Sequence, residues 1–143
     1  MPTHHSLPND LAAGAHFADR EYGWSIAAFP TALAAAKRLG YACLGGQFQF
    51  RAGDGSVCEM HWLGADSSDR RSGESWSSYV DRSCGEVEKE FQRLVNTTDF
   101  QKEGRRCADG SSGSSQLNRS LVFVAYFVTE EEFSNLRVEI HQY

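Results

Sequence analysis

Cys58 and His61 are the one close pair in this sequence whose side-chain types suit a zinc site or a nucleophile with its base. Their spacing works against both. Phe48 and Phe50 alternate before Gly53-Asp54-Gly55, and Cys58, Met60 and Trp62 alternate after it, which is the pattern of a β-hairpin. In a strand, residues three apart project to opposite faces. The thiol and the imidazole should therefore diverge, into a core cysteine and a surface histidine. Gly45-Gly46 has neither the G-x-G-x-x-G nor the G-K-[ST] context of a phosphate cradle. It is read as a bulge, or as a place where another backbone comes too close for a side chain.

The carboxylates Asp54, Glu59, Asp66, Asp69, Glu74, Asp81, Glu86, Glu88 and Glu90 lie in polar surroundings, with no apolar setting that would make one of them an acid catalyst. No catalytic, metal-binding or cofactor-binding residue is assigned, and the chain is read as a non-enzyme. The loops Ala52–Ser56 and Gly64–Glu74, with the outer side of the following helix, offer a negative face to a positive partner; the plainer alternative is ordinary solvated charge. Trp62 and Trp76 flank the second loop and are read as core residues, although a part-exposed Trp beside carboxylates would make a binding anchor. The candidate contact residues are Asp54, Trp62, Asp66, Asp69 and Glu74.

The elements that must position these residues follow from period and punctuation. Leu7, Leu11 and Ala15 predict a short helix from Leu7 to about Phe17, which Asp19–Gly23 ends. A second helix starts between Ser25 and Pro30 and runs to Leu39, with Lys37 and Arg38 at its negative end and Gly40 as the stop. In the hairpin, Gln47, Gln49, Glu59 and His61 should face away from the helices. Ser75 caps the longest helix, whose apolar stripe is Trp76, Tyr79, Val80, Ser83, Val87, Phe91 and Leu94. A Gly/Ser-rich tract near 103–119 predicts a mobile loop. Leu121–Val128, apolar throughout, predicts a central strand covered on both faces. Thr129 and Glu132 form a capping-box pattern that predicts one helical turn before a final strand near Leu136 to His141.

At 143 residues and 41% hydrophobic, the chain suits one domain, 1–143, of the α+β class, with helices packed on one antiparallel or mixed sheet. Its net charge of -5 disfavours nucleic acid as the main partner. No apolar run suits a secretory signal or a membrane span, so a cytoplasmic address without membrane contact is expected. Cys43, Cys58, Cys84 and Cys107 are sparse for a disulfide scaffold and are expected to be reduced and mostly buried.

Lys37-Arg38-Leu39-Gly40-Tyr41, Leu44-Gly45-Gly46, the turn near Asp54, Trp62, and Ser75-Trp76-Ser77-Ser78-Tyr79-Val80 with Ser83 together resemble the immunity protein 40 family of bacterial polymorphic toxin systems. The similarity spans roughly Tyr22 to Phe91. It departs at Gln47, where the resemblance implies an acidic residue, and at the Gly/Ser tract. It implies a small cytosolic protein that neutralises a cognate toxin by direct contact, without cofactor or catalytic residues, and the acidic balance implies a basic toxin surface. The alternatives from the residues alone are a small enzyme or effector using Cys58 or His61, and a module that binds a peptide along its hairpin edge.

Overall fold

The apolar stripes and alternations above have to meet somewhere, and they meet across one antiparallel sheet. The computed structural model describes residues 7–18, 20–108 and 119–141. Their elements in chain order are α1 (Asn9–Ala12), β1 (Ala15–Ala18), β2 (Glu21–Trp24), α2 (Phe29–Leu39), β3 (Ala42–Ala52), β4 (Val57–Asp66), α3 (Trp76–Thr97), α4 (Phe100–Ala108), β5 (Arg119–Val128) and α5 (Glu130–His141). The strands pair in the order β1-β2-β5-β3-β4, every pair antiparallel, which makes this an α+β domain. The apolar strand β5 is central, as its composition predicts.

α2 takes Pro30 in its first turn and stops at Gly40, whose φ is 80°. In α3 the Ser75 hydroxyl accepts from the Ser78 N–H at 3.1 Å. Tyr79, Val80, Ser83, Cys84, Val87, Phe91 and Leu94 are its buried residues. α2 and α3 close over Phe48 and Phe123, and Phe29 and Phe91 fill the gap with ring centroids 4.8 Å apart. Each such buried ring contributes on the order of 2 kcal/mol from area alone. The buried Ser83 hydroxyl is satisfied: its Oγ accepts from the Cys43 N–H at 3.1 Å and donates to the Val80 carbonyl.

Gly45 and Gly46 hold the glycine role expected of them. Gly45, with φ of 132°, sits at the irregularity where β3 shifts register against β5. A Cβ on Gly46 would lie 2.0 Å from the Val124 carbonyl oxygen.

Four expectations are corrected. The first helix is only Asn9–Ala12, because Gly14, with φ of 77°, turns the chain into the β1–β2 hairpin, where Arg20 also takes a positive φ. The final strand is the helix α5. Both capping-box bonds form, Thr129 N–H to Glu132 Oε1 at 2.8 Å and Glu132 N–H to Thr129 Oγ1 at 3.2 Å, and Glu130, Glu131 and Glu132 suit the positive end of its dipole. The start of the 103–119 tract belongs to α4, while the rest of the expected mobile loop, 109–118, lies outside the described residues. Finally, Cys58 and Cys107 form a disulfide with Cα atoms 5.9 Å apart, leaving only Cys43 and Cys84 as the buried free thiols.

Candidate functional site

Along β4, Cys58 and Met60 point toward the helices in one phase of the alternation, whereas Leu63 and Ala65, both buried, demand the opposite phase. A regular strand cannot satisfy both. The structure resolves the conflict with a bulge: Phe48 pairs with Met60 and Gln47 with Gly64, so His61, Trp62 and Leu63 face no β3 partner. Leu63 turns in and Trp62 turns out, 49% exposed rather than in the core. Trp62 is nevertheless held. Its Nε1 donates to Glu103 Oε1 at 2.6 Å, and the Arg106 guanidinium lies 5.2 Å from its ring centroid. The Cys58–Cys107 bond and Phe100, whose ring is 4.9 Å from that of Phe48, fix α4, which carries both partners. Lys102, Arg105 and Arg106 line the outer side of α4, so the charge beside Trp62 is mixed rather than purely acidic.

The face of the sheet away from the helices carries a second polar group. His61 Nδ1 is 3.1 Å from Gln47 Oε1, and His61 Nε2 is 3.4 Å from Glu59 Oε2. Tyr126 donates its hydroxyl to Glu21 Oε2, and burial, followed by that bond and the charges of Glu21 and Glu59, pushes the phenol well up. Arg51 lies across this face, donating to Gln49 Oε1 at 2.7 Å and to the carbonyls of His16 and Glu21. Gly23 gives it room, since a Cβ there would come within 3.2 Å of the Arg51 guanidinium carbon. A cavity of about 680 Å³ is lined by Glu21, Val57, Cys58, Glu59, His61 and Cys107.

The predicted contact residues do not form one patch. Asp54 sits at the hairpin tip, its carboxylate accepting from the Ser56 N–H and hydroxyl, which lowers its pKa. Asp66 ends β4 on the order of 30 Å away, judged by strand rise, with exposed Asp69 close behind it. Glu74 is turned inward. Arg82 donates to both its oxygens, at 2.7 and 2.8 Å, and also reaches Glu86, Ser68 Oγ and the Asp69 carbonyl, so this α3 side chain pins the 67–75 loop. Those bonds, with the Arg71 N–H, hold the Glu74 carboxyl down to about 2.

A carboxyl lowered in the folded state stabilises that state above the ordinary glutamate value of 4.5, and the contribution disappears as pH falls toward 2. Urea midpoints should therefore drop across this window, and Glu74→Gln should flatten the drop. An unchanged slope in the variant would show that the pair is not coupled to folding.

Glu21, Tyr126, Glu103 and Arg106 were missed in the sequence. Tyr126 is the one hydroxyl within the apolar run of β5 and was the available signal; Glu21 lay in a segment read as a break. Cys58 cannot pair with His61 as a thiolate, because its sulfur is bonded to Cys107. Among the described residues, no three His, Cys, Asp or Glu side chains form a metal-holding group, and no helix is long and apolar enough to cross a membrane. Compared with protein-family models, curated proteins and solved structures, the chain matches none.

Proposed function

We propose that this protein is a contact inhibitor of the immunity type, which neutralises a bacterial toxin domain by covering it with the β4–α4 edge. The observation that carries the reading is Trp62: a large aromatic residue, half exposed, set outward by a bulge and oriented by Glu103 and Arg106. Trp and Arg are the residue types that dominate binding energy at protein interfaces, and an anchor already ordered before binding loses little entropy on docking. The resemblance to the immunity protein 40 family supplies the class of partner. Asp66, along the same strand, and Asp69 supply acidic steering toward a basic surface.

The sequence-based address was the cytoplasm, whose glutathione pool keeps thiols reduced. The Cys58–Cys107 bond favours an encounter in an oxidising compartment instead.

Co-expression with a candidate toxin domain, taken from the genes neighbouring this one, tests the proposal. Growth should be rescued, and Trp62→Ala should weaken the complex about 30-fold or more, as loss of a hot-spot aromatic does. A toxin that kills equally with and without the protein ends the reading.

A further inference from the structure

We infer that the Cys58–Cys107 bridge is a modification site for low-molecular-mass thiols, which reach its sulfurs through the cavity beside β4 and open the bond while the domain stays folded. The inference goes beyond the contact-inhibitor reading and stands on the geometry alone.

A disulfide resists exchange when packing keeps thiolates away from its sulfurs. This bridge is placed differently. Cys58 lies on β4, the last strand in the sheet order, and both cysteines are half-buried. Both also line the cavity of about 680 Å³, a volume in the range of small-molecule sites. The other residues lining it are Glu21, Val57, Glu59 and His61, all polar but Val57. The Glu59 and His61 side chains are 41% and 70% exposed, so water reaches the cavity. A thiolate, the species that attacks a disulfide, therefore approaches without the desolvation that an apolar pocket would impose.

The remaining cysteines supply the contrast. Cys43 and Cys84 are fully buried in the core, and that burial pushes both thiols up, so neither reacts while the core is closed.

In the exchange, the sulfur of the small thiolate bonds to one bridge sulfur as the S–S bonding pair leaves on the other, which takes a proton from water. A second thiol then releases the first as a small-molecule disulfide, and two electrons have passed to the protein. The mixed disulfide formed in between sits where α4 is joined to β4, and α4 is the helix that carries Glu103 and Arg106 to Trp62.

The probe is dithiothreitol, a small dithiol whose second sulfur completes the exchange. The oxidised protein is incubated with it at mildly alkaline pH, pulsed briefly with N-ethylmaleimide without denaturant, and weighed by mass spectrometry. Two labels should appear, on Cys58 and Cys107, with the buried Cys43 and Cys84 unlabelled as an internal record that the core stayed closed. The rate should rise in proportion to dithiothreitol and change by less than about twofold in dilute urea, whereas opening through global unfolding would accelerate on the order of tenfold per molar. Val57→Trp fills the cavity and should slow labelling about tenfold by restricting access. His61→Trp, on the exposed rim, is a second filling variant that serves if Val57→Trp loses its dispersed NMR spectrum. Labels on all four cysteines from the first time point, a rate that plateaus with dithiothreitol or accelerates about tenfold per molar urea, no labelling, or a rate that neither filling variant slows would each overturn the inference.

Discussion

Replacing Gly46 by alanine is expected to destabilise the domain by about 4 kcal/mol or more, the upper end of what a single methyl does in a packed interior. Gly46 lies in β3 between Ala65 of β4 and Ala125 of β5. An added Cβ would sit 2.0 Å from the Val124 carbonyl oxygen, 2.7 Å from Phe123 Cε2 and 2.9 Å from the Ala125 Cα. Two of these atoms are backbone of the central strand, which is hydrogen-bonded on both sides and cannot swing away as a side-chain end could. The cost is contact rather than backbone conformation, since Gly46 has no positive φ. Two controls isolate it. Gly53 in the hairpin turn and Gly85 in α3 have nothing within 4 Å of a new Cβ. Gly53→Ala should change stability by less than about 0.5 kcal/mol, and Gly85→Ala should raise it by up to about 1 kcal/mol through helix propensity. Urea midpoints for the three variants decide the matter: a Gly46→Ala midpoint close to that of Gly53→Ala would mean the strands are not packed this tightly.

What could be read from the sequence were features whose cause is local. Lys37, Arg38 and Gly40 end α2 by charge and left-handed backbone, Ser75 starts α3 with its own hydroxyl, and eight apolar residues in β5 require cover on both faces. What was missed depended on tertiary context. α4 contains Gly104 and few apolar residues; it is held because Gly104 lets Phe50 and Arg119 approach to 3.2 and 3.1 Å of where a Cβ would be, and because Cys107 is tied to Cys58. α5 was masked by Val138 and Ile140, which favour strands, although the Thr129–Glu132 box that nucleates it was visible. β1 and β2 are four residues each, too short for a period to emerge.

The site divides along the same line. The exposure of Trp62 was encoded in the phase conflict between Met60 and Leu63, a signal in the sequence that an uninterrupted alternation through Trp62 overlooked. Its holders, Glu103 and Arg106, come from 41 and 44 positions downstream, and no spacing rule links them. The candidate contacts Asp54 and Asp66 shared only a sign of charge, which carries no information on distance.

Removing the Cys58–Cys107 bond is the other change with a large expected effect, and it connects stability to the proposed interface. The bond closes a separation of 49 residues, for which the loss of unfolded-chain entropy gives about 4 kcal/mol, and native bridges commonly deliver 2–4. The Cys58→Ala/Cys107→Ala variant should therefore melt roughly 10 °C lower. Dithiothreitol should lower the melting temperature of the unaltered protein by a similar amount and leave the double variant unmoved. α4 would remain attached through Phe100 on Phe48 and the bond from Arg119 Nη2 to the Gly104 carbonyl, so the protein should stay folded at 25 °C. Trp62 loses more than the core does. Glu103 and Arg106 stand on the helix that the bridge anchors, and when that helix loosens the indole must be ordered again on docking, so reduction should weaken partner binding even at temperatures where the domain is intact. Melting curves of oxidised and reduced protein that agree within about 1 °C would remove the stability argument, and equal affinities of the two forms would remove Trp62 from the set of residues that the bridge prepares.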